Sequence, residues 1–489
     1  MTATNFRRTK ILATLGPATD QPGVLAQIIE AGVNVVRMNF SHGTAEQHAE
    51  RVIRVREIAA SLGREVGILA DLQGPKIRIE KFANDKVHLV NGSEFRLVCR
   101  ADAPLGDETQ VGVSYLGLVK DVVPGDTLLL DDGLVALMVK TLDGDTIVTE
   151  VLAGGALSNR KGLNRLGGGL SLDALSEQDK EHIAIAAKLD VDFLAVSFCR
   201  SAADIELARS IALSHGSYAH IVAKIERAEA IERLVEITQA SDVVMVARGD
   251  LGVEIGDAEL VGIQKKIIQH SRGLNKAVIT ATQMLQSMVD NPIPTRAEVL
   301  DVANSVIDGT DAVMLSAETA SGAYPVKAIE AMNRICLGAE RQFKHDTDFE
   351  AAPRDLERVD QAIAMSAMFI AEHIQLRGII ALTESGGTAR YLSRFRANVP
   401  LFGLSRFGYA RRRMALMRDV APVNFDSEGQ SMRVAARKAI KQLFDQGYLA
   451  VGDRVLITSG VHMEQHGATN TLRLLAVGEG GRTEGLGDL

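Results

Sequence analysis

Ile221-Val-Ala-Lys224-Ile-Glu226 and, one strand-and-helix unit later, Val244-Met-Val-Ala-Arg248-Gly249-Asp250-Leu-Gly-Val decide how this chain is read. Each is a short apolar run that ends in charge. Side chains alternate faces along a strand, so Lys224 and Glu226 share a side, as do Arg248 and Asp250, at the ends of neighbouring strands. Two carboxylates on adjacent strand ends suit a hard divalent cation such as Mg²⁺, which takes few protein ligands and keeps positions for substrate oxygens. The lysine and arginine suit a phosphate. The plainer alternatives are a structural ion pair between Lys224 and Glu226 and an ordinary helix N-cap at Asp250.

Outward from these segments the same unit repeats. Residues 10–15, 33–38 and 66–72 read as buried strands, with helical patterns at 23–31 and 46–61 between them, and strands resume at 193–197, 220–225, 242–247, 276–282 and 312–315. Eight strands alternating with helices favour a TIM (β/α)8 barrel over an open doubly wound sheet, the structural runner-up. After Gly74-Pro75 the texture changes to short alternating strands with turn signals such as Val123-Pro-Gly-Asp126 and Leu142-Asp-Gly-Asp145, which predicts a small antiparallel β-barrel domain inserted after strand three. Beyond the charged stretch 344–358 a separate α/β unit begins, with a helix at 361–373 and strands at 378–382, 401–404, 454–458 and 472–477. The expected division is an α/β barrel of 1–74 and 161–343, an inserted lid of 75–160 and a C-terminal α/β regulatory domain of 344–489. The Gly-rich tail after Gly478 reads as a frayed end.

Composition narrows the partners. At 489 residues and 46% hydrophobic the chain can bury several cores, and a net charge of −8 with no basic tail speaks against nucleic acid. Cys99, Cys199 and Cys336 are far apart and form no disulfide framework, which with the lack of a signal-peptide core or membrane-spanning stretch predicts a cytoplasmic protein.

In a TIM barrel the active site lies at the C-terminal ends of the strands, so polar groups should collect there. They do at Arg37-Met-Asn39-Phe-Ser41-His42-Gly43, Asp71-Leu-Gln-Gly-Pro-Lys76-Ile-Arg78, Ser197-Phe-Cys-Arg200, Thr280-Ala-Thr282-Gln283 and Ser316-Ala-Glu318-Thr319. The amides of Gly249 and Asp250 are candidates for a carboxylate or phosphate at a helix N-terminus. Lys161-Gly162 stands where the inserted segment returns, as a hinge that delivers an ammonium to a nucleotide phosphate or as a hinge alone. Thr383-Glu-Ser385-Gly386-Gly387-Thr388 lies between a strand and a helix, either as a phosphate cradle or as a capped turn; Arg406 and Arg411-Arg-Arg413 add charge nearby or form a solvated face.

These segments, with Ala281-Thr282-Gln-Met-Leu-Gln-Ser-Met288 and Met314-Leu-Ser316-Ala-Glu318-Thr319, resemble pyruvate kinases of bacterial type over nearly the whole chain. The resemblance implies phosphoryl transfer from phosphoenolpyruvate to ADP, giving pyruvate and ATP. It also implies a lid domain, an effector site and a homotetramer. Glu226 and Asp250 would hold Mg²⁺ or Mn²⁺; Lys224 and Arg37 would meet the phosphoryl group; Gly249, Asp250, Thr282 and Ser316 would bind the substrate. Arg37, Asn39, His42, Arg78 and Lys161 match nucleotide contacts. Thr383, Ser385, Gly386 and Thr388 match an effector pocket, for a monophosphorylated sugar or nucleotide because Gly387 replaces a common basic residue. Asn39, Ser41 and Asp71 match a monovalent-cation site, but Lys76 stands where a glutamate is usual, so activity is expected without K⁺. Asn164-Arg165-Leu166-Gly167-Gly168-Gly169 lacks the family's proline, which predicts a looser hinge. The competing functions are a TIM-barrel lyase, metal-dependent or using Lys224 as a Schiff base, and a metabolite sensor without turnover.

Overall fold

The computed structural model of the chain describes residues 6–342, 356, 358–395, 398–460 and 469–485. Lys10–Thr14, Val35–Asn39, Gly67–Asp71, Phe193–Val196, His220–Ile225, Val243–Ala247, Ala277–Ala281 and Ala312–Leu315 form a closed, all-parallel barrel. Closure is made by the last strand returning to the first, with Lys10 opposite Ala312 and Leu12 opposite Met314, which excludes the doubly wound sheet. The strands are mostly apolar on both faces because both faces are covered, with polar residues gathered towards their ends. Leu12, Phe193, Val222 and Met245 fill the interior, whereas Ile11, Val36 and Ile221 pack outward under the helices. The helix Ala45–Ser61 starts one residue earlier than its periodicity suggests, since Thr44 and Gln47 form a reciprocal cap.

Several strands stop short of the expected ends. Phe198, Thr282 and Gln283 have φ of 54°, 69° and 53°, so the chain turns left-handed as it leaves the barrel and presents those residues in loops.

The segment inserted between Gly67–Asp71 and Phe193–Val196 has its own core around Phe95, Leu97, Leu128 and Leu137. Its ladders form a six-stranded sheet and a two-stranded one. The pairing is antiparallel as expected except between Glu94–Val98 and Gln110–Gly112, which run parallel. The returning hinge makes defined contacts with the barrel without the family's proline. Arg227 Nη2 donates to Leu170 O at 2.7 Å, the Gly169 amide meets the Glu229 carboxylate, and Gly167, Gly168 and Gly169 all have positive φ. A Cβ at Gly168 would stand 2.6 Å from Glu229 Oε2, so glycine is what lets this turn seat against the barrel.

The C-terminal sheet runs Val420–Asn424, Leu401–Ser405, Gly378–Leu382, Arg454–Gly460, Thr469–Val477, Thr483–Glu484. Val420–Asn424 is a strand that the sequence reading did not include; it sits at the sheet edge, where the missing amide of Pro422 costs least. Within the described part of the tail, Thr483–Glu484 forms a strand that pairs with Ala476 and Val477. Most of 344–358 falls outside the described residues. Arg411-Arg-Arg413 neither faces solvent nor serves the 383–388 loop. Arg411 pairs with Glu65, Arg412 Nε lies 2.7 Å from Asp192 Oδ1, and Arg413 donates to Tyr218 O, all at the N-terminal end of the barrel. Beside them Leu416 enters the barrel's inner apolar cluster. Among the described residues no helix is long and apolar enough to cross a membrane.

Candidate active site

Five side chains from four barrel strands and their exits meet at the C-terminal end. Arg37 Nε lies 2.6 Å from Asp71 Oδ2. Lys224 Nζ lies 3.2 Å from Asp71 Oδ1 and 2.9 Å from Glu226 Oε1, and it donates to Ser197 Oγ at 2.6 Å. Ser197 in turn donates to Leu72 O at 2.8 Å, and Glu226 Oε2 accepts the Phe198 amide at 2.8 Å. Lys224 and Glu226 thus share one side, as strand alternation requires. Asp71 and Glu226 are only 1% and 2% exposed in their side chains, so this is a buried row of alternating charges.

Burial works against every charge in the row, and the neighbours decide the outcome. Burial lowers the Lys224 pKa, but the facing Asp71 and Glu226 outweigh it and hold the ammonium well above lysine's ordinary value. For Asp71 burial is opposed by Lys224 and Arg37, and the carboxyl falls below its usual range. Glu226 goes the other way: burial dominates over Lys224, and the charge of Asp250 pushes it further up. A Schiff-base lysine must be a neutral amine, so this environment disfavours the lyase reading.

Arg248 and Asp250 do not face one spot. The helix Arg248–Ile255 begins at Arg248 itself, so residues two apart point to nearly opposite sides. Arg248 turns inward, donating to Thr282 O at 2.7 Å and pairing with Asp301 at 2.7 Å. It grips the turn at Thr282 and Gln283, whose left-handed backbone is strained for a β-branched residue. Thr282 Oγ1 accepts the Gly249 amide at 2.8 Å, so the expected carboxylate-binding pair is engaged with itself. Asp250 instead meets Lys76, with Nζ 2.9 Å from Oδ1. Lys76 therefore does not point at the Asn39, Ser41 and Asp71 set; Asp71 lies between Arg37 and Lys224, and Asn39 Oδ1 accepts the Ser41 amide at 3.1 Å.

Glu226 and Asp250 are all-oxygen donors whose mutual repulsion a divalent cation would relieve, which fits Mg²⁺ or Mn²⁺. A cleft of about 560 Å³ brings Arg37, Asn39, His42 and Ser316 together with Thr14. Arg78 and Lys161 are not among its lining: Lys161 Nζ is 2.8 Å from Asp131 Oδ1, and Arg78 Nη1 donates to Arg160 O at 2.9 Å. Sequence reasoning gave Ser197 and Thr14 no role, although each stands at a strand's C-terminal end. In the C-terminal domain Thr383 Oγ1 accepts the Gly386 amide at 3.0 Å, Ser385 is half-buried, and Thr388 is buried against Thr469. Arg406 is paired with Glu384 and Glu428.

A family model described as "Pyruvate kinase, barrel domain" matches residues 6–329, and one described as "Pyruvate kinase, alpha/beta domain" matches 361–475. The chain belongs to the pyruvate kinase family. Its bacterial relatives include "Pyruvate kinase II" of Salmonella typhimurium, 54% identical over 476 residues that span 96% of this chain and 99% of the relative. The "Pyruvate kinase" of Haemophilus influenzae is 52% identical over 95% of this chain and 97% of its own. That of Bacillus licheniformis is 40% identical over 97% and 81%. As a pyruvate kinase of bacterial type, the chain is a phosphotransferase with the closed barrel and C-terminal α/β domain of the family.

Proposed function

We propose that the chain moves the phosphoryl group of phosphoenolpyruvate to ADP and that the resulting enolate is protonated to pyruvate. The observation that carries this reading is the row Arg37, Asp71, Lys224, Glu226 at the C-terminal mouth of the barrel. Lys224 is held protonated and faces the mouth, where preorganised positive charge stabilises a transferring phosphoryl. Arg37 clamps the same phosphate with a planar fork that lysine does not reproduce. Glu226 and Asp250 would hold a divalent cation, which would supply Lewis-acid chemistry to the bound substrate.

Thr282 and Ser316 flank the enolate, and the Gly249 and Asp250 amides take the substrate carboxylate once the Gly249–Thr282 hydrogen bond opens. Arg37, Asn39 and His42 line the nucleotide cleft, and Arg78 and Lys161 reach it when the inserted domain closes. The 383–388 loop, through Thr383, Ser385, Gly386 and Thr388, takes a phosphorylated sugar or nucleotide as activator in a cytoplasmic homotetramer. Lys76 stands where a glutamate is usual in the family, and although its ammonium meets Asp250 rather than the Asn39, Ser41 and Asp71 set, it adds the positive charge that a monovalent cation would bring to this mouth, so turnover needs no added K⁺. The test is pyruvate formation from phosphoenolpyruvate and ADP with Mg²⁺ in potassium-free buffer. Turnover that appears only on adding K⁺ overturns the role of Lys76, and no turnover under either condition overturns the assignment as a whole.

A further inference from the structure

Both strands of chain that join the inserted domain to the barrel come down on the same short helix. On the outgoing side Lys76 meets Asp250. On the returning side the Gly167 amide donates to Glu254 O at 2.9 Å, and the Asn164 side chain lies beside Glu254 in the lining of one small cavity. Asp250 and Glu254 stand four apart on Arg248–Ile255, so they lie one above the other on a single face. Glu254 is only 2% exposed, and its Oε2 also accepts the Ala228 amide at 2.9 Å, two residues past Glu226. One buried carboxylate therefore touches the returning hinge and the segment that follows Glu226. A small cavity between the hinge strands and the barrel is lined by Lys76, Asn164, Phe198, Arg227 and Glu254, so both hinges and the helix share one packed junction.

We propose that Glu254 is a positioning residue that couples the seating of the inserted domain to the metal-binding end of the Arg248–Ile255 helix. The proposal rests on Asp250 and Glu226 being the metal ligands. An eight-residue helix is about two turns long and moves as a unit, so a shift of the returning strand at Glu254 is carried one turn to Asp250. It changes where Asp250 stands relative to Glu226. A cation held by both carboxylates fixes the helix, and through Glu254 fixes residues 164–170. Linkage makes the effect reciprocal: the factor by which hinge seating strengthens the metal is the factor by which the metal strengthens hinge seating.

The experiment measures Mn²⁺ binding from the loss of the free-ion EPR signal, and amide exchange of residues 161–172 with and without Mn²⁺. It compares the full native chain with E254A, E254Q, N164A and D250N. In the native chain Mn²⁺ should slow exchange at Gly167. E254A and N164A should bind Mn²⁺ about fivefold more weakly, the scale of one ordinary hydrogen bond, and Mn²⁺ should no longer slow their hinge exchange. E254Q keeps the acceptor for Ala228 and nearly the same volume beside Asn164 and should resemble the native chain, which also guards against a folding failure of E254A. Faster hinge exchange in E254A with native Mn²⁺ affinity, alongside weakened binding in D250N, means a merely structural Glu254 and overturns the coupling alone. Native Mn²⁺ affinity in D250N overturns the metal assignment and the coupling with it.

Discussion

Replacing Lys224 by methionine separates the charge of this side chain from its volume. Methionine fills nearly the same space, so little cavity cost is expected. The ammonium, however, has two carboxylates and a hydroxyl within 3.2 Å, all largely buried. Asp71 keeps Arg37, but Glu226 is left with the Phe198 amide alone. Breaking a buried pair by removing one partner costs about 3–5 kcal/mol. Loss of one preorganised charge at a transition state costs about 10²–10³ in kcat. K224M should therefore show a kcat at least a hundredfold lower in coupled pyruvate formation, with a smaller change in the KM for phosphoenolpyruvate, and a lower denaturant midpoint. Lys224 has a raised folded pKa, so its own contribution is complete at any pH below lysine's unfolded value of about 10.4. The deficit should instead shrink toward acid pH, as the unpaired Glu226, already held above its ordinary pKa, takes up a proton. K224M/E226Q should regain stability without regaining activity. A kcat within tenfold of native, or a single variant as stable as the native chain, would refute the reasoning.

Two other consequences concern the junction of the barrel with the C-terminal domain. L416A removes, among the described residues, the one C-terminal side chain in the inner barrel cluster, and a loss of about 2–5 kcal/mol is expected in chemical denaturation; an unchanged midpoint would mean that Leu416 merely covers the barrel floor. Lys10, whose ammonium donates to Val420 O at 2.6 Å, has its pKa pushed down to about 7 by burial first and by Arg7 second. Between about pH 7 and 10.4 the unfolded chain binds the extra proton, so native stability should rise with pH across that window, and K10M should lack this rise. Parallel stability–pH curves for the two proteins would count against a neutral buried Lys10.

The barrel and much of its mouth were legible because the signals are local. His220–Ile225, Ala312–Leu315 and Gly378–Leu382 are short apolar runs bounded by charge or turn residues, and each folds as its own pattern requires. Lys224 and Glu226 fall on one side because the strand period is two, whatever lies elsewhere in the chain. Arg248 and Asp250 obeyed a different period. The chain passes from strand to helix at Arg248, and a change of period at one residue sends two neighbours to different partners, which composition around them does not reveal. Lys76 beside Asp250, Leu416 in the barrel floor and the three arginines on the barrel's N-terminal end depend on contacts between residues more than a hundred positions apart. Local periodicity thus determined which residues stand at the strand ends. Only the closed barrel, with its inserted and appended domains packed against it, decided which of those charges face one another, because pairing energy depends on distances that the order of residues leaves open.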